Sequence, residues 1–165
     1  MKRLMMMGPV ASGKTSLIQR MRGEQLRYRK TQAVEFEDAV IDTPGEYMEN
    51  RQYLSALTVT ACDADVIVFV QDAASGERWY SPGQASMFNA RVIGVVAKID
   101  LADRRQIESA ADALFSAGAE RVFEVSNTDG TGIGELLAYI AKLDGGPAGS
   151  GKEDENEIRC DTPAL

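Results

Sequence analysis

GPVASGKT, residues 8–15, follows directly on the apolar run Leu4-Met5-Met6-Met7 and leads into Thr15–Arg22, which sets Leu17, Ile18 and Met21 on one helical face. Strand, glycine-bounded loop and helix in that order satisfy every fixed position of G-x-x-x-x-G-K-[ST], the Walker A pattern, in the context that gives the pattern meaning. Gly8 and Gly13 let the chain curl so that the backbone amides of Val10, Ala11, Ser12, Gly13, Lys14, Thr15 and Ser16 can converge on phosphate oxygens. The helix that begins here adds the positive end of its dipole. Lys14 then reaches the β- and γ-phosphates of a nucleotide, and the Thr15 hydroxyl offers a place for Mg²⁺. A nearly identical string, GPAGSGKE at residues 146–153, fails the same test. No strand leads into it, no apolar helix follows, and Glu153 puts a carboxylate where a hydroxyl is needed. One phosphate loop is expected, near the start of the chain.

Working outward, short solid apolar runs alternate with longer periodic ones. Leu4–Met7, Val66–Val70, Val92–Val96 and Val122–Val125 read as strands of a parallel sheet buried on both faces. Between them, Glu49–Cys62 lines up Tyr53, Leu54, Leu57 and Ala61. Ala102–Ala117 lines up Ile107, Ala111, Leu114 and Phe115 and stops at Gly118, and Ile133–Leu143 carries Leu136, Leu137 and Ile140. Ser81-Pro82, with Gln84 at capping-box spacing, predicts a short helix there. Ala33–Glu37 and Ala39–Asp42 alternate, with a tight turn near Glu37-Asp38, and predict one short antiparallel edge strand. The expected fold is α/β: a mostly parallel, doubly wound sheet with helices on both faces. It spans residues 1–143. Residues 144–165 hold six acidic and two basic residues with almost no apolar content, and read as an acidic, disordered tail.

In open α/β sheets ligands bind beyond the carboxyl ends of the strands, so the residues found there carry weight. Asp42-Thr43-Pro44-Gly45 ends one strand. Asp42 can hold Mg²⁺ through water, and the Gly45 amide can meet the γ-phosphate, which makes the loop after it phosphate-sensitive. Lys98-Ile99-Asp100 ends another. Asp100 can accept from the N1 and N2 donors of guanine, whereas adenine turns an acceptor toward it. Lys98 is expected to pack under the phosphate loop and the base. Ser126-Asn127, after the last strand, can supply backbone donors to the guanine carbonyl.

Taken in order, GPVASGKT, Thr31, DTPG, AKID and SNT resemble the small GTP-binding proteins of the Ras/Era type, P-loop NTPases by fold. RKTQAVEF (29–36) with DTPGEY (42–47) is similar, more narrowly, to the ethanolamine/propanediol-utilisation family of EutP and PduV. The resemblance implies Mg²⁺ with GTP/GDP, or ATP, as ligands, with Thr31 joining Thr15 and Asp42 at the metal and Lys14, Thr31, Gly45 and Glu46 in catalytic roles. It also implies a setting in the bacterial microcompartments that break down ethanolamine or propanediol, with a shell protein or enzyme as partner, and an acetate kinase activity ascribed to the ethanolamine member. The chain departs from the GTPase pattern in three places. Ala97 stands where the guanine-reading motif begins with Asn or Thr, removing one side-chain bond. Glu46 replaces a water-orienting Gln, and either acts as a base or faces solvent. Val10 and Ala11 replace glycines that would admit an activating arginine.

Composition bounds the rest. With 165 residues the chain is one ordinary domain in length, and its 44% hydrophobic and 26% charged content is that of a water-soluble protein. A net charge of −7 argues against nucleic-acid and anionic-membrane binding, and no apolar run approaches a membrane span, so a cytoplasmic protein is expected. No histidine is present, which removes imidazole acid–base chemistry and His metal sites. Cys62 and Cys160 have neither metal-ligand nor disulfide-framework spacing. The basic run Arg20–Lys30 reads as a solvated helix end, or as a source of an arginine for the phosphates. Three functions fit: a slow GTP-hydrolysing switch, a small-molecule kinase, or a catalytically silent binding module associated with a microcompartment. No segment is long enough for a kinase lid, which favours the switch.

Overall fold

The computed structural model of the chain describes residues 3–28, 40–43 and 51–145. Five strands, β1 (Leu4–Met7), β2 (Val40–Asp42), β3 (Val66–Asp72), β4 (Arg91–Ala97) and β5 (Val122–Glu124), form one sheet in the order β2-β1-β3-β4-β5. All four pairings are parallel, β2 to β1 included. The expected antiparallel partner, Ala33–Glu37, lies outside the described residues, as does the tail from residue 146.

The strands are solidly apolar because both faces of the sheet are covered, and the period-2 alternation sorts their side chains between two cores. Leu4, Met6, Val66, Val68, Val70, Ile93, Val95, Phe123 and Val125 face α1 (Lys14–Tyr28) and α4 (Ile133–Gly145). Met5, Met7, Ile67, Phe69, Val92 and Val96 face α2 (Leu54–Ala61) and α3 (Arg104–Ala117). Helix α3 starts on a reciprocal capping box between Asp103 and Gln106 and ends at Gly118, whose φ of 112° is the left-handed stop expected from its sequence. The segment expected as a helix over Glu49–Cys62 begins, among described residues, with a 3₁₀ turn, Arg51–Tyr53, before α2.

The short helix predicted from Ser81-Pro82 is present but starts later. The Ser81 amide does donate to Gln84 Oε1 (2.8 Å), half of a capping box. The helix itself is a single 3₁₀ turn, Gln84–Met87, entered from Gly83 at a φ of 75°. A left-handed residue between Pro82 and Gln84 prevents Pro82 from opening the helix. Trp79 and Tyr80 tuck against the sheet. The Tyr80 ring stacks on Phe69 at 4.4 Å, and its hydroxyl donates to the carbonyls of Met7 and Val70, both 2.9 Å away. Burial pushes ionisation of that hydroxyl up, beyond the ordinary tyrosine range.

Strand order reverses between β1 and β3, where the connections leave the sheet in opposite directions. That is where a crevice forms at the carboxyl ends of the strands. The loop that leaves β1 sits on it.

Candidate functional site

The phosphate loop runs from Gly8 to the first turn of α1. Its backbone is bent as phosphate coordination requires: Ala11 has a φ of 66° and Gly13 one of 103°. Gly8 is fixed by close approach, since a Cβ there would lie 2.6 Å from Ser12 Oγ and 2.9 Å from the Val70 carbonyl oxygen. The Ser12 amide bonds back to Pro9 (3.2 Å), and the Leu17 amide closes the first helical turn on Gly13 (2.8 Å). Lys14 is almost wholly buried, with Nζ donating to the Pro9 carbonyl at 3.4 Å, so the ammonium curls over its own loop. Thr15 and Ser16 are exposed at the helix start. Ser12 Oγ is buried without a partner among the described residues.

Three other strand ends converge on this loop. Beside β1, β2 is in register with Met6 opposite Asp42, which brings the Asp42 backbone to the same edge, and Thr43 Oγ1 donates to the Met6 carbonyl at 2.7 Å. Thr31, Gly45 and Glu46 lie outside the described residues. From β4, Lys98 adopts a left-handed backbone (φ 63°) that turns its side chain back under the phosphate loop. Its Nζ donates to the Ala11 carbonyl (2.7 Å) and to Asp72 Oδ2 (3.1 Å). From the loop after β5, Ser126 Oγ donates to Asp100 Oδ1 (3.0 Å) and accepts from the Asp129 amide (3.4 Å). The neighbouring Asn127 extends Nδ2 to the Gly13 carbonyl, 3.4 Å away.

The site therefore gathers Lys14, Thr15, Lys98, Asp100, Ser126 and Asn127, and adds side-chain bonds at two of them. Ser126 and Asn127 were expected to act through backbone donors. In the fold their side chains are engaged, one fixing Asp100 and the other gripping the phosphate loop. Asp72 was missed. It ends β3 opposite Ala97 in β4, and it holds Lys98 while its Oδ1 accepts from the Ala74 amide at 2.8 Å. The strand-end rule that picked out Asp42 and Asp100 would have found it had the third strand been extended past Val70.

Chemically, a helix N-terminus preceded by a glycine-bounded loop and flanked by the Lys14 ammonium suits an anion. Asp100 presents a carboxylate acceptor, oriented by Ser126, two residues past Lys98 at the carboxyl end of the same sheet. No group of three or more His, Cys, Asp or Glu able to hold a metal occurs among the described residues. A divalent ion here would rest on the Thr15 hydroxyl, phosphate oxygens and water, a donor set that suits Mg²⁺. Among the described residues no helix is long and apolar enough to cross a membrane.

Residues 1–142 match the family model described as ethanolamine utilisation – propanediol utilisation (PduV-EutP). The chain is 46% identical over 140 residues to the propanediol utilization protein PduV of Citrobacter freundii, covering 85% of this chain and 93% of that one. It is 35% identical over 146 residues to a protein of Escherichia coli strain K12 named probable acetate kinase EutP, covering 87% and 91% respectively. Among solved structures it is similar to the FeoB G-domain of Methanococcus jannaschii, with a TM-score of 0.61 at 24% identity over 85% of this chain and 95% of that one. That likeness shows the fold, which is the α/β fold of P-loop GTPases.

Proposed function

The chain belongs to the ethanolamine utilisation – propanediol utilisation (PduV-EutP) family, and from that premise we propose that it is a Mg²⁺-dependent guanine-nucleotide-binding protein acting as a slow GTP-hydrolysing switch in ethanolamine or propanediol breakdown. One observation carries the reading. The phosphate loop and the Asp100 carboxylate follow two strands of one parallel sheet at their carboxyl ends; Lys98, two residues before Asp100, bonds Ala11 of the loop, and Ser126 orients Asp100. A phosphate loop alone serves any nucleotide. A pre-oriented carboxylate acceptor at the base end suits guanine, which offers two donors there, and repels adenine, which offers an acceptor.

In this reading Lys14 and the helix N-terminus neutralise the β- and γ-phosphates. Thr15 and Thr31, with Asp42 through water, hold Mg²⁺, which when bound draws charge from the phosphate oxygens. The Gly45 amide senses the γ-phosphate, and Glu46 stands where water is oriented. With Glu46 in place of a Gln and no glycines at 10 and 11, turnover is slow and the nucleotide state is long-lived. The partner is a microcompartment shell protein or enzyme, as the family's setting suggests. The test is equilibrium binding of GTP, GDP, ATP and ADP with Mg²⁺, followed by single-turnover GTP hydrolysis. Tighter ADP than GDP rejects the guanine assignment.

The name of the E. coli relative favours a second reading, phosphoryl transfer from ATP or GTP to acetate. Trapping acetyl phosphate with hydroxylamine separates the two. Trapped product at a rate above water hydrolysis establishes the kinase, and phosphate release alone leaves the switch.

A further inference from the structure

Ala97, fully buried at the end of β4, has only a methyl group at the position where the guanine-reading motif of the GTP-binding proteins it resembles begins with Asn or Thr. The space around Gly13 shows what stands in its stead. A Cβ built on Gly13 would meet Asn127 Nδ2 first, at 3.4 Å, and the Ala97 methyl next, at 3.6 Å. Position 97 and Asn127 thus crowd the same side of the same residue, one silent and one carrying a carboxamide. Asn127 Nδ2 donates to the Gly13 carbonyl, the acceptor that also receives the Leu17 amide and so opens helix α1. The other end of this carboxamide, Oδ1, is shielded and has no partner among the described residues. A buried amide acceptor left unpaired costs stability, so the orientation is held for the bond that Nδ2 makes.

We propose that Asn127 is a positioning residue which supplies, from the loop after β5, the clasp to the phosphate loop that Ala97 lacks, and so couples phosphate binding to base recognition. The connection is continuous. Gly13 is held by Asn127, the adjacent Ser126 holds Asp100, and the Ser126 backbone is itself fixed by the Thr131 carbonyl (3.0 Å) and the Gly130 amide (2.8 Å). Phosphates drawing the loop inward shorten the Gly13–Asn127 bond and set the loop that orients Asp100. At 3.4 Å that bond has room to tighten. Lys98 grips the loop at Ala11 from β4, so the loop is held at two carbonyls from two different strand ends.

The proposal rests on the guanine-nucleotide reading, and the experiment tells their failures apart. GDP, ADP and pyrophosphate are titrated against a fluorescent GDP analogue with the full chain, wild type, Asn127→Ala, and Asn127→Ala combined with Ala97→Asn. Thermal melting is followed in parallel. Asn127→Ala is expected to weaken GDP about tenfold while changing pyrophosphate by no more than about threefold, because the lost quantity is the coupling between the two ends of the ligand. Returning a carboxamide from position 97 is expected to restore GDP to within about threefold of wild type. GDP affinity unchanged in Asn127→Ala, or a double variant as weak as the single one, overturns the clasp. Should either variant lose its cooperative melt, Asn127→Ser, whose hydroxyl is too short to reach Gly13, is read by the same criteria. Wild type binding GDP no more tightly than ADP overturns the guanine reading and this proposal with it. A wild-type preference for GDP alongside an unaffected Asn127→Ala overturns the clasp alone.

Discussion

Base recognition can be isolated atom by atom by varying protein and ligand together. Inosine diphosphate differs from GDP only in lacking the N2 amine, so the ratio of their affinities reports the bond from N2 to Asp100. Ser126 Oγ occupies one lone pair of Asp100 Oδ1 at 3.0 Å, which fixes the carboxylate and leaves Oδ2 and the rest of Oδ1 to face a ligand. A hydrogen bond from a neutral donor to a carboxylate contributes about 1.5–3 kcal/mol. Asp100 is exposed at the rim, and water competes for it, so the lower end applies. That corresponds to roughly a tenfold preference for GDP over IDP in wild type. Asp100→Ala should bring the ratio close to unity without altering pyrophosphate binding, and Ser126→Ala, which frees the carboxylate to rotate, should leave a ratio of about three. The assay is competition against a fluorescent nucleotide at fixed Mg²⁺ and salt. A wild-type ratio of one, or a ratio that survives in Asp100→Ala, refutes the assignment of Asp100 to the base.

Lys14→Ala should weaken Mg²⁺–GTP by about a hundredfold or more while moving the melting temperature only a few degrees, because a phosphate-loop lysine meets the ligand rather than the apolar core, and its 3.4 Å bond to the Pro9 carbonyl is long; calorimetry and a thermal melt check both halves. Tyr80→Phe should lower stability by about 1–3 kcal/mol, read as a shift in denaturant midpoint, since it strips a buried donor from the carbonyls of Met7 and Val70 at once. The Asp129 carboxyl is held below its ordinary value of 3.8 by the Thr131 hydroxyl, then by the Thr131 amide. A depressed folded value means that its contribution to stability is fully present above the unfolded value and is lost as pH falls through the folded one. Thr131→Val should therefore move the Asp129 midpoint upward in an NMR titration, and an unmoved midpoint would show that the hydroxyl does not set it.

The fold was legible because each strand is a short run of apolar or β-branched residues and each helix a longer run at period 3.6, although Tyr53 and Phe115, expected on the apolar helix faces, are exposed. Strand lengths were less so. Gln71 and Asp72 continue β3 although both are polar, because Gln71 Nε2 finds the Glu77 carbonyl at 2.7 Å and Asp72 finds Lys98. A polar residue reads as a strand end when its partner is unknown, and those partners come from a loop and a neighbouring strand. The short helix predicted from Ser81-Pro82 forms, but as one 3₁₀ turn that begins at Gln84, because the left-handed backbone of Gly83 delays its start.

The candidate site was legible in its residue types and not in its wiring. Lys98, Asp100, Ser126 and Asn127 could be placed at strand ends from sequence, but which of them touch depends on β4 lying between β3 and β5, with Asp72 opposite Ala97. The backbone shows where that wiring is under tension. Among the described residues only Ala11 and Lys98 are non-glycine residues with positive φ, at 66° and 63°, and they are the two ends of one hydrogen bond, 2.7 Å from Nζ to carbonyl oxygen. A left-handed conformation costs an L-residue with a Cβ roughly 1–2 kcal/mol, so a single contact has strain on both sides of it. One net hydrogen bond to an ammonium, about 1.5–3 kcal/mol, offsets that strain at best. Folding alone therefore gains little from the arrangement. Its consequence is geometric: the Ala11 carbonyl is engaged by Lys98, and that bond pins the left-handed bend in the middle of the phosphate loop. The strain is thus located at the contact that ties the fourth strand end to the phosphate loop, so the two act as parts of one device.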